Sequence, residues 1–143
     1  MSAPDETALK AMIVFRKAER TLDTLASSVF NHYHITPTQF SVLDVLYAKG
    51  EMTISKLIDS ILATSGNMTV VLKNMERNGW IYRQRSHHDK RAYVIGLTDE
   101  GKRLIETVLP EHVAGVERSF AVLTKEEQLQ LINLLKKFKQ HQE

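Results

Sequence analysis

The feature that most restricts the fold is a change of hydrophobic period at Gly79, directly after two short helical segments. From Thr53-Ile54-Ser55 the apolar residues Ile54, Leu57, Ile58 and Ile61 recur at three- and four-residue spacing, which predicts a short helix. Ala63-Thr64-Ser65-Gly66 interrupts it. A further helix is expected from about Ser65 to Asn78, burying Met68, Val71, Leu72 and Met75 and stopped by Asn78-Gly79. Two helices joined by a tight turn of small residues form a helix-turn-helix. Past Gly79 the pattern becomes that of strands. Trp80–Arg85 and Ala92–Leu97 are rich in aromatic and branched residues, with polar Ser86–Arg91 between them. The expected product is a β-hairpin with a charged tip.

Helices flank this unit. Leu9, Met12, Ile13, Leu22, Leu25 and Val29 line one long amphipathic helix over Leu9–Phe30, its stripe interrupted around Arg16–Arg20. Thr36-Pro37-Thr38-Gln39 is a capping box with proline at the first helical position; Phe40, Leu43, Leu46 and Tyr47 follow on one face, and Lys49-Gly50 ends the helix. Thr98-Asp99 caps another helix, carrying Leu104, Ile105, Val108 and Leu109. Pro110 is expected to kink it or divide it from a continuation through Val113, Val116 and Phe120. A second capping box, Thr124-Lys125-Glu126-Glu127, precedes Leu129, Ile132, Leu135 and Phe138. The terminal stripes carry more apolar face than a small core needs, and such stripes usually pair with a second subunit. The expected fold is therefore mainly α with a small β-hairpin wing. It is a winged helix-turn-helix (35–100) with N- and C-terminal dimerisation helices (5–30 and 102–141), in a single domain over 1–143.

Length and composition agree with one ordered domain: 143 residues, 43% hydrophobic and 25% charged. No internal repeat or linker divides it. The absence of cysteine excludes disulfides and thiolate metal sites and leaves the cytoplasm as the expected compartment. Asp5 and Glu6 stand where a secretory leader would be basic, and the uncharged run Ser60–Leu72 is too short for a membrane span of ~20 mostly apolar residues.

The whole-chain charge of +2 argues against a nucleic-acid partner until it is divided by position. From Thr53 to Ile95 seven basic residues meet three acidic ones, a net +4; the remainder, twelve against fourteen, carries −2. That is either a phosphate-facing module or a chance cluster on a solvated face.

The B-DNA major groove admits one α-helix, read from its N-terminal turn. Thr64, Ser65, Asn67, Met68 and Thr69 occupy that turn here, and Lys73 lies one turn further on, placed to reach the backbone. The hydroxyls at Thr64 or Ser65 equally suit a plain helix cap. On the hairpin, Arg83, Arg85, Lys90 and Arg91 are basic, and Asp89 and Arg91, two apart, project to one side. An exposed ion pair would use the same residues without DNA. Trp80 and Tyr82, at the hairpin root, fit core packing better than a base-stacking platform. His32-Tyr33-His34 and His87-His88-Asp89 lack the spacing of helical metal or hydrolase motifs. Glu111-His112, with Glu106 or Glu117 nearby, is the better metal candidate; no metal or cofactor is expected.

Thr36–Leu46 (TPTQFSVLDVL), Thr53–Leu57 (TISKL), Ser65–Gly79 (SGNMTVVLKNMERNG) and above all Asp89–Gly101 (DKRAYVIGLTDEG) resemble a MarR-type transcriptional regulator. The likeness runs from about Leu9 to Phe138, and its specific part is the wing followed by Leu97-Thr98-xx-Gly101. The resemblance implies that Arg91 enters the minor groove with Asp89 orienting it, and that the terminal helices form a two-fold homodimer on a palindromic duplex operator. It also implies release by a small aromatic or phenolic effector, with Met12, Phe15, Arg16, Tyr33, His34 and Phe40 as candidate pocket residues. Leu109–Val113 looks like the branch answering to quinones. The expected function is a dimeric DNA-binding repressor, not an enzyme and without a membrane partner. The rivals are a winged-helix protein–protein module and a zinc-responsive regulator of the same family.

Overall fold

A computed structural model describes residues 4–61, 67–89 and 91–142. In chain order the elements are α1 (Thr7–His32), α2 (Pro37–Lys49), β1 (Met52–Thr53), α3 (Ile54–Ser60), α4 (Met68–Arg77), β2 (Ile81–Arg85), β3 (Tyr93–Leu97), α5 (Asp99–Phe120) and α6 (Lys125–Lys136), then a 3-10 segment, Lys137–Gln142. Threonine hydroxyls set four of the helix starts. Thr36 Oγ1 accepts the Gln39 N–H at 3.1 Å while the Gln39 side chain accepts the Thr36 N–H, and Thr124 with Glu127 repeats the arrangement, so both expected capping boxes form. Thr53 caps α3, and Thr98 accepts the Gly101 N–H at the start of α5.

Two helices stop in the same way. At the end of α1 the N–H of Ile35 returns to the Phe30 carbonyl and that of His34 to Asn31, with His34 left-handed at φ 57°. At the end of α4 the N–H of Trp80 returns to Met75 and that of Gly79 to Glu76, with Gly79 at φ 80°. Each is a Schellman stop, which turns the chain sharply and satisfies two end carbonyls.

The strands form one antiparallel sheet in the order β1-β3-β2. Met52 pairs with Ile95 and Thr53 with Val94 on one side of β3; Ile81 through Arg85 pair with Leu97 through Tyr93 on the other. The hairpin is thus as expected, but the two-residue β1 is an addition: its partner lies some forty residues downstream, and two residues carry no alternation to read. Pro110 lies within α5, which is one helix and not two. A missing N–H costs one backbone bond, and the turns before it are held by Ile105 and Val108, both fully buried.

The chain divides into two compact units, Met1–Ala26 with Val113–Glu143, and Ser27–His112. The second extends beyond 35–100 at both ends. Every buried hydrophobic side chain among the described residues belongs to it, including Val42, Leu43, Leu57, Leu72, Met75 and Ile95. Tyr47, expected on the inner face of α2, is exposed, and Val42 is buried instead. The first unit has helices with exposed apolar faces and no fully buried side chain among those described. No described helix is long and apolar enough to cross a membrane.

Candidate nucleic-acid interface

Within the Ser27–His112 unit, α4 turns Met68, Leu72 and Met75 inward. Met68 therefore belongs to the core, which corrects its inclusion among the groove-facing residues; of the two roles read for it, burial at 3% exposure leaves only packing. The opposite face carries Thr69, Val70, Lys73, Asn74 and Arg77, all exposed, preceded by exposed Asn67. Val70, Asn74 and Arg77 were not singled out from the sequence, although Val70 and Arg77 lie three and four residues from Lys73, and Asn74 four from Val70 and three from Arg77, which is the helical signal that finds them. Thr64 and Ser65, and with them the expected helix start near Ser65, lie outside the described residues. Asn67 stands at the N-cap without a side-chain cap bond.

The Schellman stop at Gly79 delivers the chain straight into the wing. Directly opposed residues of an antiparallel pair share a face, so Ile81, Arg83 and Arg85 lie with Leu97, Ile95 and Tyr93. At the root this face is core, with Ile81 and Ile95 buried. Toward the tip it turns cationic: the Arg83 and Arg85 guanidinium carbons stand 5.8 and 5.9 Å from the Tyr93 ring centre. On the other face Tyr82 is paired with Gly96. A Cβ at Gly96 would strike the Tyr82 ring, so the missing side chain lets that ring cross β3, and its hydroxyl donates to Glu51 beside β1. Gln84 reaches the same carboxylate oxygen at 3.2 Å. Tyr82 and Trp80 are both half-buried, outside the fully buried core.

At the tip Ser86 Oγ accepts the N–H groups of His88 and Asp89, and Asp89 Oδ1 accepts the Arg91 backbone N–H at 2.9 Å. The carboxylate thus shapes the turn that presents Arg91, through its backbone. The Arg91 side chain is exposed, and Lys90 lies outside the described residues.

A helix with an exposed polar and basic face, followed by a basic wing, is arranged to meet duplex DNA. The pattern of the MarR family matches residues 35–93. Over 132 residues the chain is 34% identical to an HTH-type transcriptional regulator of Bacillus subtilis, YkoM, covering 92% of this chain and 86% of that one. The chain belongs to the MarR family. It is a DNA-binding transcriptional regulator, and its relatives are regulators and not enzymes. Among solved structures, that of Staphylococcus aureus MepR with DNA superposes with a TM-score of 0.80 at 26% identity, covering 91% of this chain and 96% of that one. The structure of NadR with 4-hydroxyphenylacetate gives 0.76 at 25%, covering 96% and 97%.

The candidate effector residues of this MarR-family chain fall in both units. Met12, Phe15 and Arg16 are exposed on α1 in the first. In the second, Phe40 packs against Phe30 (4.8 Å between ring centres), and His112 stacks on Phe30 at 5.2 Å and meets Phe40 tilted at 4.6 Å. Tyr33 donates to Glu111 at 2.6 Å, and that hydrogen bond raises its pKa. His34 serves as the left-handed stop of α1. Glu111 and His112 are thus engaged by tyrosine and by aromatic rings, and no three His, Asp or Glu side chains among the described residues come together as metal ligands would.

Burial holds the His112 pKa below its ordinary 6.5, with the Asp44 carboxylate partly opposing. The folded chain then takes up this proton less readily than the unfolded one, so the contribution is intact above the unfolded pKa and is lost as pH falls below it. His112→Phe is expected to flatten the decline of the urea midpoint between about pH 7 and 5. An unchanged slope would remove His112 as its source.

Proposed function

We propose that the chain acts as a cytoplasmic two-fold homodimer that occupies a palindromic duplex operator and represses transcription until a small aromatic or phenolic ligand releases it. The distribution of burial carries the dimer. Leu9, Met12, Ile13 and Phe15 of α1, Val113 and Val116 of α5, and Leu129, Ile132 and Leu135 of α6 are between 38% and 63% exposed. Covering what remains exposed of each such side chain is worth roughly half of the ~1.5–3 kcal/mol for a fully exposed one, and a self-complementary face is what a two-fold interface uses. Two-fold symmetry sets the recognition helices about one DNA turn apart, ~34 Å.

On each half-site, α4 lies in the major groove. Thr64, Ser65, Asn67 and Thr69 meet base edges or nearby phosphates, and Lys73 reaches the backbone. Arg91, flanked by Lys90, enters the adjacent minor groove, where the narrow groove concentrates negative potential. Arg91→Ala is expected to weaken operator binding by ~1–3 kcal/mol with the fold intact. A gel-shift titration in which the variant binds like wild type would remove the wing from the interface.

The effector reading is supported by NadR, solved with 4-hydroxyphenylacetate, and by the cluster of aromatic rings that Phe30, Phe40 and His112 form. Its test is a titration of 4-hydroxyphenylacetate and related aromatic acids against protein–DNA complex, followed by anisotropy and by melting of the free protein. No compound moving both readouts would sink it.

A further inference from the structure

Arg83 reads from the sequence as one more cation for the DNA backbone, but its surroundings engage it elsewhere. Its Nε is shut off from water, has no hydrogen-bond partner, and stands 3.8 Å from Glu76 Oε2 on α4. Its guanidinium also lies over Tyr93 of β3. One side chain thus touches the recognition helix and both long strands of the wing. Arg85 is exposed beside the same ring. Glu76 is the anomaly on the other side. It is the one acid of α4, on a helix whose remaining exposed residues are neutral or basic, and a carboxylate close to DNA phosphates repels them.

We propose that Arg83 is a positioning residue: paired with Glu76, it holds the wing at a set distance from the recognition helix, so that the two reach adjacent grooves together. The pair is half-exposed, 29% and 45% for the two side chains, so its strength alone contributes little to stability. Its effect is geometric. Removing Glu76 leaves the enclosed Nε with nothing to compensate it, and the wing gives way because β2 is tied to α4 there. The inference rests on the reading that the wing meets DNA.

The test measures affinity for one operator duplex as a function of salt for wild type, Glu76→Gln, Arg83→Gln, the double variant, Arg85→Gln and Arg91→Ala. Glu76→Gln deletes a negative charge near DNA, so simple electrostatics requires tighter binding. Positioning requires weaker binding, by ~3–10-fold, with the double variant no worse than the poorer single. A phosphate contact contributes ~1 to the slope of log affinity against log salt. Arg83→Gln and Glu76→Gln should change the slope alike, because both act through the contacts of the wing, and Arg85→Gln should lose about one unit of its own. Tighter binding by Glu76→Gln, or a slope lowered by about one in Arg83→Gln and unchanged in Glu76→Gln, overturns the proposal. If Arg83→Gln fails to fold, the sign of the Glu76→Gln effect decides alone. Should the wing reading itself be wrong, Arg91→Ala binds as wild type; should only this inference be wrong, Arg91→Ala weakens binding and Glu76→Gln does not.

Discussion

Gly101→Ala is expected to lower the melting temperature by on the order of 10 °C. A Cβ there would lie 2.0 Å from the Trp80 carbonyl oxygen and 2.9 Å from its carbon, where an ordinary C···O approach is ~3.3 Å or more. Both sides of the contact are backbone, so no side chain can swing away. The seam is also tied. Thr98 N–H donates to the Trp80 carbonyl at 3.1 Å, its hydroxyl donates to Gly79 at 2.5 Å and accepts from Gly101 at 3.0 Å. Relieving the clash means parting α5 from the root of the wing and giving up part of that set, ~3 kcal/mol or more. Gly96→Ala makes the comparison, because the atoms it meets belong to the Tyr82 side chain. A melting temperature for Gly101→Ala within a few degrees of wild type would contradict the packing described.

The second large effect concerns the terminal helices. Ile13→Glu combined with Ile132→Glu sets charges on two side chains that are 46% and 47% exposed in the single chain. If that face is buried between subunits, the variant should sediment at the mass of one 16.3 kDa chain. Losing the second half-site contact removes the effective concentration that links the two, and operator affinity should fall ~100-fold or more. The footprint should contract to one half-site. Circular dichroism checks that the Ser27–His112 unit, where the buried residues lie, is retained. A variant still sedimenting as a dimer, or binding the full operator as wild type does, would exclude this face as the interface.

What could be read beforehand follows the range of the interactions involved. The capping boxes at Thr36 and Thr124, the Thr98 cap, the stop at Gly79 and the hairpin pairing are made within a few residues, and each was legible from spacing. So was the Leu97-Thr98-xx-Gly101 motif, though its reason was not: the need for glycine at 101 comes from a carbonyl twenty-one residues away. The same holds for β1, for Tyr82 crossing Gly96 to reach Glu51, and for Arg83 meeting Glu76. Charge counting put Arg83 and Arg85 in one class, and only the tertiary arrangement separates an enclosed Nε from an exposed arginine. Met68 shows the limit within a single helix turn, since it is buried between exposed Asn67 and Thr69. Of the two outcomes expected at Pro110, division of the helix does not occur, and the packing of Ile105 and Val108 offsets the local penalty.

Trp80 is the sole indole of the chain. It is the residue on which α4 stops and from which β2 leaves, and its carbonyl carries the contact with α5. The chain's single strong fluorophore therefore sits at the joint between α4 and the wing. Its emission can be followed without a label while DNA or an aromatic acid is added. A shift in colour on DNA addition would register motion at that joint, and quenching alone would register only proximity. The protein carries its own optical gauge.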